Sequence, residues 1–307
     1  MPYLPHFLDL NDVSSPELID LLTLAADLRR EWRAGGNRPL LAGKSLAMIF
    51  QKPSLRTRVS FDVAMFHLGG RALYLSPAEV GLGERESVPD VARVLNGFVQ
   101  AIMARVFRHE HLLELAQYSQ VPVINGLSDR SHPCQALADL LTIQDHFGHL
   151  AGLRIAYIGD TNNVTRSLAL GAARCDMGFA IASPAGYGPD ADFIRESYAA
   201  GLELSITDDP YQAVRGADVI YTDTWVSMGQ EAETAVRRAI FPPYQVNADL
   251  IKAAPAQAIV MHDLPAYRGL EITDEVMDGP QSVIFAQAEN RLHAQKAVLV
   301  RLLSSSL

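Results

Sequence analysis

Short apolar runs alternate with longer stretches of helical period almost from end to end of this chain. A helix is predicted over 15–33, with Pro16 and Glu17 in its first turn. Apolar runs at 45–50, 71–75, 101–105 and 121–124 read as strands, the first followed by a helix through 59–65, and a helix over 133–147 closes this half. Gly148-His149-Leu150-Ala151-Gly152 reads as a break, after which strands are expected at 153–158, 178–182, 202–205, 219–221 and 258–261. The amphipathic stretch 283–303 reads as a last long helix that returns to the first domain. Strands alternating with helices in this way predict an α/β protein with two doubly wound parallel-sheet domains and a cleft between them. The expected divisions are 1–148, 149–282 and the returning helix 283–307. No internal repeat or low-complexity tract interrupts the pattern.

The 307 residues suffice for two cores of ordinary size, and the 49% hydrophobic content suits a globular protein. No apolar run approaches the ~18 residues of a membrane span, and Met1-Pro2-Tyr3-Leu4-Pro5-His6 lacks the basic and apolar regions of a signal peptide. A cytoplasmic location without membrane contact is therefore expected. Cys134 and Cys175 are the only cysteines, too few for a disulfide framework or a zinc cluster. A net charge of −9 argues against nucleic acid, so any anion site must work by local arrangement.

Two polar clusters follow apolar runs. The first, Phe50-Gln51-Lys52-Pro53-Ser54-Leu55-Arg56-Thr57-Arg58, puts Ser54, Leu55, Arg56 and Thr57 on the first turn of a helix. Unpaired backbone N–H groups and the positive end of the helix dipole favour an anion there, and Arg56 adds a two-pronged donor. Taken alone, Ser54 would be an N-cap and the arginines solvated charges. The second cluster is Leu127-Ser128-Asp129-Arg130-Ser131-His132-Pro133-Cys134-Gln135, in which a lone His132 would be a helix-start residue. The string F-x-K-P-S-x-R-T-R followed downstream by H-P-C-Q-A-L-A-D resembles the carbamoyl-phosphate half of the aspartate and ornithine carbamoyltransferases. The resemblance implies that Arg105, at a strand end, touches both the phosphate and the carbonyl oxygen. His132 would donate to that oxygen, while Pro133 and Gln135 would serve the carbamoyl NH₂.

Tyr157-Ile158-Gly159-Asp160-Thr161-Asn162-Asn163-Val164 runs from strand to helix without the G-x-G-x-x-G of a dinucleotide site. It resembles the loop with which ornithine carbamoyltransferases hold an amino-acid carboxylate, here through Asn163. In Asp223-Thr224-Trp225-Val226-Ser227-Met228-Gly229, a carboxylate at a strand end above a cleft calls for a cation. The resemblance gives Asp223, Ser227 and Met228 to ornithine. His262-Asp263-Leu264-Pro265-Ala266 corresponds to the family's H-C-L-P-A with Asp263 in place of the cysteine. Asp263 is expected to be ionised and to order the attacking amine, the alternative being a cap on its own loop; the Leu264 carbonyl would accept from the carbamoyl NH₂. Gln287-Ala288-Glu289-Asn290-Arg291-Leu292-His293 matches Q-x-E-N-R-L-H and makes Arg291 a late donor to the carbonyl oxygen. Relatives often carry Gln or His where Gly81 stands, reaching a neighbouring subunit's site; a backbone N–H or Arg85 is the expected substitute.

The resemblance extends from residue 45 to the last helix. It implies carbamoyl transfer from carbamoyl phosphate to the δ-amino group of L-ornithine, giving citrulline and phosphate, with no metal or organic cofactor. The partners implied are these two substrates and further copies of the chain, as a homotrimer or a multiple of trimers. Arg105, His132 and Arg291 would hold the tetrahedral oxyanion, with Asp263 completing the catalytic set. Two alternatives stay open: transfer to another amine such as putrescine or an acylated ornithine, and a non-catalytic relative that kept the fold.

Overall fold

The computed structural model describes residues 4–227 and 229–304. Its chain divides into two compact units, one containing the residues up to Leu141 and those from Asn290 on, the other running from Thr142 to Glu289. Met228, one of the expected ornithine contacts, lies outside the described residues.

The first unit is built on β1 (Ser45–Phe50), β2 (Arg71–Leu75), β3 (Ala101–Arg105) and β4 (Val123–Leu127). All pairs are parallel, in the order β2-β1-β3-β4. The chain leaves β1 toward β2 on one side and reaches β3 on the other. Ligands of such sheets gather where the order reverses, here at the carboxyl ends of β1 and β3, which the pairing of Phe50 with Arg105 sets level. β1 and β3 are buried almost throughout, as parallel strands covered on both faces must be. The first helix, Ser15–Arg33, is fixed at its start by Ser14 and Glu17, each accepting the other's backbone N–H, and buries Leu18, Leu21, Leu22, Ala25 and Leu28. The last helix, Ile284–Leu303, is tied to the same unit by Asn290, which accepts from Arg29 at 2.6 Å, and by Lys296, which donates to Asn37 at 2.7 Å.

Strand β4 begins and ends later than the 121–124 read from the sequence. Pro122 has no N–H for the ladder, though its carbonyl accepts from Ile102 at 2.9 Å. Pairing then continues through Asn125 and Gly126, which look like loop residues in the sequence. Asn125 is buried, its Nδ2 donating to the Leu8 carbonyl at 2.9 Å. A Cβ at Gly126 would come within 2.5 Å of Met103 Sδ, so close strand packing explains the glycine.

The second unit carries β5 (Arg154–Ile158), β6 (Gly178–Ala182), β7 (Glu203–Thr207), β8 (Val219–Thr222) and β9 (Ile259–His262). They form one parallel sheet in the order β7-β6-β5-β8-β9. Its reversal falls between β5 and β8, so the segments after Ile158 and Thr222 lie at the ligand end of the sheet. Ile158, Ala180, Ile220, Val260 and Ile272 belong to the core packed against it. Among the described residues no helix is long and apolar enough to cross a membrane.

Candidate active site

In the first unit the helix Leu55–His67 starts directly beyond β1. Ser54 caps it, Oγ accepting from the Thr57 N–H at 3.3 Å and donating to Thr57 Oγ1 at 3.1 Å. Arg291, from the last helix, donates to the same Thr57 hydroxyl at 2.9 Å. The two motifs farthest apart in the sequence thus meet on one side chain. Arg105 is buried at the end of β3, and His132 is buried where the helix Pro133–Phe147 begins.

Burial, with the positive charges of Arg291, Arg105, Lys52 and Arg56, holds the His132 pKa well below the ordinary histidine value. The imidazole is therefore neutral and keeps one N–H to donate, as a ligand for a carbonyl oxygen must. The order of those charges also shows which side chains share this pocket of positive potential. Gln135 is fully buried, its Nε2 donating to Asp139 Oδ1 at 2.8 Å. That bond fixes the amide's orientation, and Oε1 is buried with no hydrogen-bond partner among the described residues. An acceptor left idle inside a protein is costly unless a ligand's N–H completes it. Cys134 donates to the Asn125 carbonyl, and burial pushes its thiol up to about 12, so it is inert packing rather than a nucleophile.

Gly81 ends the turn Pro77–Val80 at φ 55, in the left-handed region. A Cβ there would meet Arg85 Cβ at 2.6 Å, so this loop conformation excludes the Gln or His that the family resemblance leads one to expect. The expected substitute donors are both engaged: the Gly81 N–H binds the Pro77 carbonyl at 2.9 Å, and Arg85 binds that of Glu79 at 3.0 Å.

In the second unit Asn162 caps the helix Asn163–Arg174, Oδ1 accepting from the Val164 and Thr165 N–H groups. The other end of its amide, Nδ2, donates to Asp223 Oδ2 at 2.6 Å, so one side chain spans the reversal between β5 and β8. The sequence reading singled out Asn163, the first helical residue, and passed over its neighbour. Asp223 also accepts from the Thr224 N–H at 2.6 Å and has no Lys or Arg partner among the described residues. Burial and the nearby carboxylate of Asp263 raise its pKa well above the usual carboxylate range. This is the acid in want of a cation that the sequence suggested. Ser227, half-buried, donates its N–H to Gln230 at 3.1 Å. Buried Arg237 steadies the segment by binding Asp160 at 2.6 Å and the Trp225 carbonyl at 2.9 Å.

Asp263 follows β9 directly. A carboxylate oxygen of Asp223, one of Asp263 and a ring nitrogen of His262 all lie within 4.8 Å of one another. Both His262 nitrogens are already committed, so the trio is not a cation site as it stands. Nε2 lies 3.2 Å from Glu271 Oε1, and Nδ1 faces the Leu264 N–H at 2.9 Å. Burial opposes charge on this ring, whereas the carboxylates of Asp263 and Glu271 favour it. A second proton would have to sit on Nδ1, trading the Leu264 contact for Asp263 Oδ1 at 3.5 Å, too long for a hydrogen bond of full strength. The closer contact decides, and the ring is neutral with its proton on Nε2. Leu264, at φ 63, is one of two non-glycine residues in the left-handed region among those described.

An anion cradle with a neutral imidazole on one parallel sheet, and two neighbouring carboxylates on another, suit an enzyme that moves a group from an anionic donor to an amine. Residues 5–145 match the carbamoyl-P binding domain of the aspartate/ornithine carbamoyltransferases, and residues 151–302 match their Asp/Orn binding domain. The chain is 53% identical over 296 residues to an ornithine carbamoyltransferase of Methanosarcina mazei, covering 96% of this chain and 98% of that one. The solved ornithine carbamoyltransferase of Pyrococcus furiosus superposes with a TM-score of 0.95 at 50% identity, covering 99% of this chain and 98% of the other. That of Thermus thermophilus gives 0.89 at 46% identity, with 99% of each chain covered. The chain belongs to the aspartate/ornithine carbamoyltransferase family.

Sequence reasoning did not assign Lys52, Asn162, His262 or Glu271. Lys52 stands inside a quoted motif, and its burial was the missing signal. The Asn162 contact could have been sought in its dual capacity, one amide end for a helix cap and the other for an acid. Glu271 carries no motif that marks it.

Proposed function

We propose that this chain is an ornithine carbamoyltransferase, making L-citrulline and phosphate from carbamoyl phosphate and L-ornithine. The observation that carries the ornithine assignment is Asp223: a buried carboxylate with amide partners and no cation suits the α-ammonium of a diamino acid and would repel the second carboxylate of aspartate.

In this reading Ser54, Leu55, Arg56 and Thr57 hold the phosphate, and Arg105 binds both phosphate and carbonyl oxygen. Gln135 and Pro133, with the Leu264 carbonyl, receive the carbamoyl nitrogen. Asn163, Asp223, Ser227 and Met228 hold ornithine. The neutral δ-amino group attacks the carbonyl carbon, forming a C–N bond. The oxyanion that develops is stabilised by Arg105, His132 and Arg291 until the C–O bond to phosphate breaks. Phosphate leaves with the electron pair and accepts the amine's proton. Asp263 pairs with the incoming ammonium and afterwards orients the lone pair. A model amine has a pKa near 10.4, so reaching its neutral form at pH 7 costs about 4–5 kcal/mol unless nearby positive charge lowers that value. No metal or organic cofactor has a step in this reaction.

The family's trimeric habit and the exposed apolar residues Leu55, Phe66 and Phe98 of the first unit support a homotrimer, placed in the cytoplasm by its metabolite substrates. A panel of amines tests the acceptor: ornithine should exceed putrescine, N-acetylornithine and aspartate by at least about a hundredfold in kcat/KM. Parity with any of them would refute the assignment.

A further inference from the structure

Behind the Asp263 loop lies a chain of polar contacts, most of them buried, that no step above uses. The backbone of His262 is clamped: its N–H binds Gln287 Oε1 at 2.9 Å, and Gln287 binds Tyr221 Oη at 3.1 Å. The ring is thus the adjustable part. Glu271 Oε1 takes the Nε2 side of that ring and also accepts the Tyr267 N–H across the intervening loop. Glu271 is anchored in turn, its carbonyl accepting from Val246 at 2.8 Å where Val246 and Ile272 form a bridge.

We propose that Glu271 is a positioning residue of the reaction: by holding the His262 proton on Nε2 it leaves Nδ1 to grip the Leu264 N–H, and so fixes Asp263 and Leu264 in place for the substrates. The proposal rests on the function assigned above, which gives Asp263 the amine and the Leu264 carbonyl the carbamoyl nitrogen. Leu264 needs such a grip. A leucine in the left-handed region is strained, and such a conformation persists only where its surroundings dictate it. Stability alone is a poor reason for Glu271, because its second oxygen, Oε2, is buried without a partner among the described residues.

Glu271→Gln and Glu271→Met separate the two roles. The glutamine keeps an acceptor for Nε2 but buries an NH₂ with nothing to receive it, so Tm should fall while kcat stays within about threefold of wild type. The methionine has similar bulk and no such acceptor. Its kcat should drop at least about tenfold, the equivalent of one hydrogen bond, with inhibition by inorganic phosphate unchanged within about twofold, because phosphate meets only residues of the first unit. Wild-type kinetics in Glu271→Met, or equal losses in both variants, would overturn the proposal. Should the methionine variant fail to fold, ¹⁵N NMR of the wild-type His262 ring still decides: a neutral ring protonated at Nε2 is expected, and a proton on Nδ1 would sink the idea. A wild-type chain inactive with ornithine would defeat the functional assignment instead, leaving the NMR result to stand alone.

Discussion

Replacing Asp223 by asparagine removes the acid that would meet a substrate's cation, with almost no change of shape. In the structure both oxygens of Asp223 are acceptors, for Asn162 Nδ2 and for the Thr224 N–H, each at 2.6 Å. Asn162 cannot turn its amide round to suit a new partner, because Oδ1 is bound to the Val164 and Thr165 N–H groups at the helix start. An asparagine at 223 therefore satisfies one of the two donors and opposes the other with its own NH₂. That mismatch costs about 1–3 kcal/mol, partly offset by relief of the repulsion with Asp263. For the substrate the loss is a charge-assisted hydrogen bond to an ammonium, about 1.5–3 kcal/mol, or roughly 10- to 150-fold in affinity. Steady-state kinetics with each substrate varied in turn should show the ornithine KM rising by that factor while the KM for carbamoyl phosphate moves less than about threefold. Equal losses for both substrates, or an unchanged ornithine KM, would refute the role given to Asp223.

Arg56→Ala should weaken carbamoyl phosphate by about 3 kcal/mol or more, over a hundredfold, since it strips a charged fork from a partly desolvated dianion; calorimetry with unchanged affinity would remove the Ser54–Arg56 cradle from the site. Burial and the neighbouring Arg105 pull Lys52 down to about 8, so its cation is present below that pH and lost above it. Carbamoyl-phosphate affinity should accordingly fall as pH rises through about 8, and Lys52→Met should flatten that limb while lowering affinity below it. Asp263→Asn should reduce turnover and raise the ornithine KM with carbamoyl-phosphate binding retained, whereas Asp263→Cys, restoring the family residue, should stay active; wild-type rates in Asp263→Asn would show that its charge plays no part.

Periodicity and punctuation place the parallel strands and the two long terminal helices well, because buried parallel strands are continuous apolar runs and the helices carry their caps in sequence. β4 was misplaced for a physical reason: Asn125 and Gly126 look like loop residues, and only the sheet supplies the Leu8 carbonyl and the tight approach of Met103 that make them strand residues. The anion cradle was legible because its chemistry is local to one strand-to-helix turn. What stayed hidden depends on residues brought together across long stretches of chain. Thr57 meets Arg291, Asn162 meets Asp223, and Glu271 reaches His262. The Gly81 substitution shows the same limit, since the sequence displays a missing side chain but not that Arg85 Cβ occupies its space.

The central claim is tested most directly by incubating the purified chain with carbamoyl phosphate and L-ornithine and measuring citrulline and phosphate together. Citrulline should appear in a one-to-one ratio with enzyme-dependent phosphate, without added metal, and should vanish when ornithine is omitted. Phosphate release without citrulline, or no turnover at saturating substrates, would contradict the account.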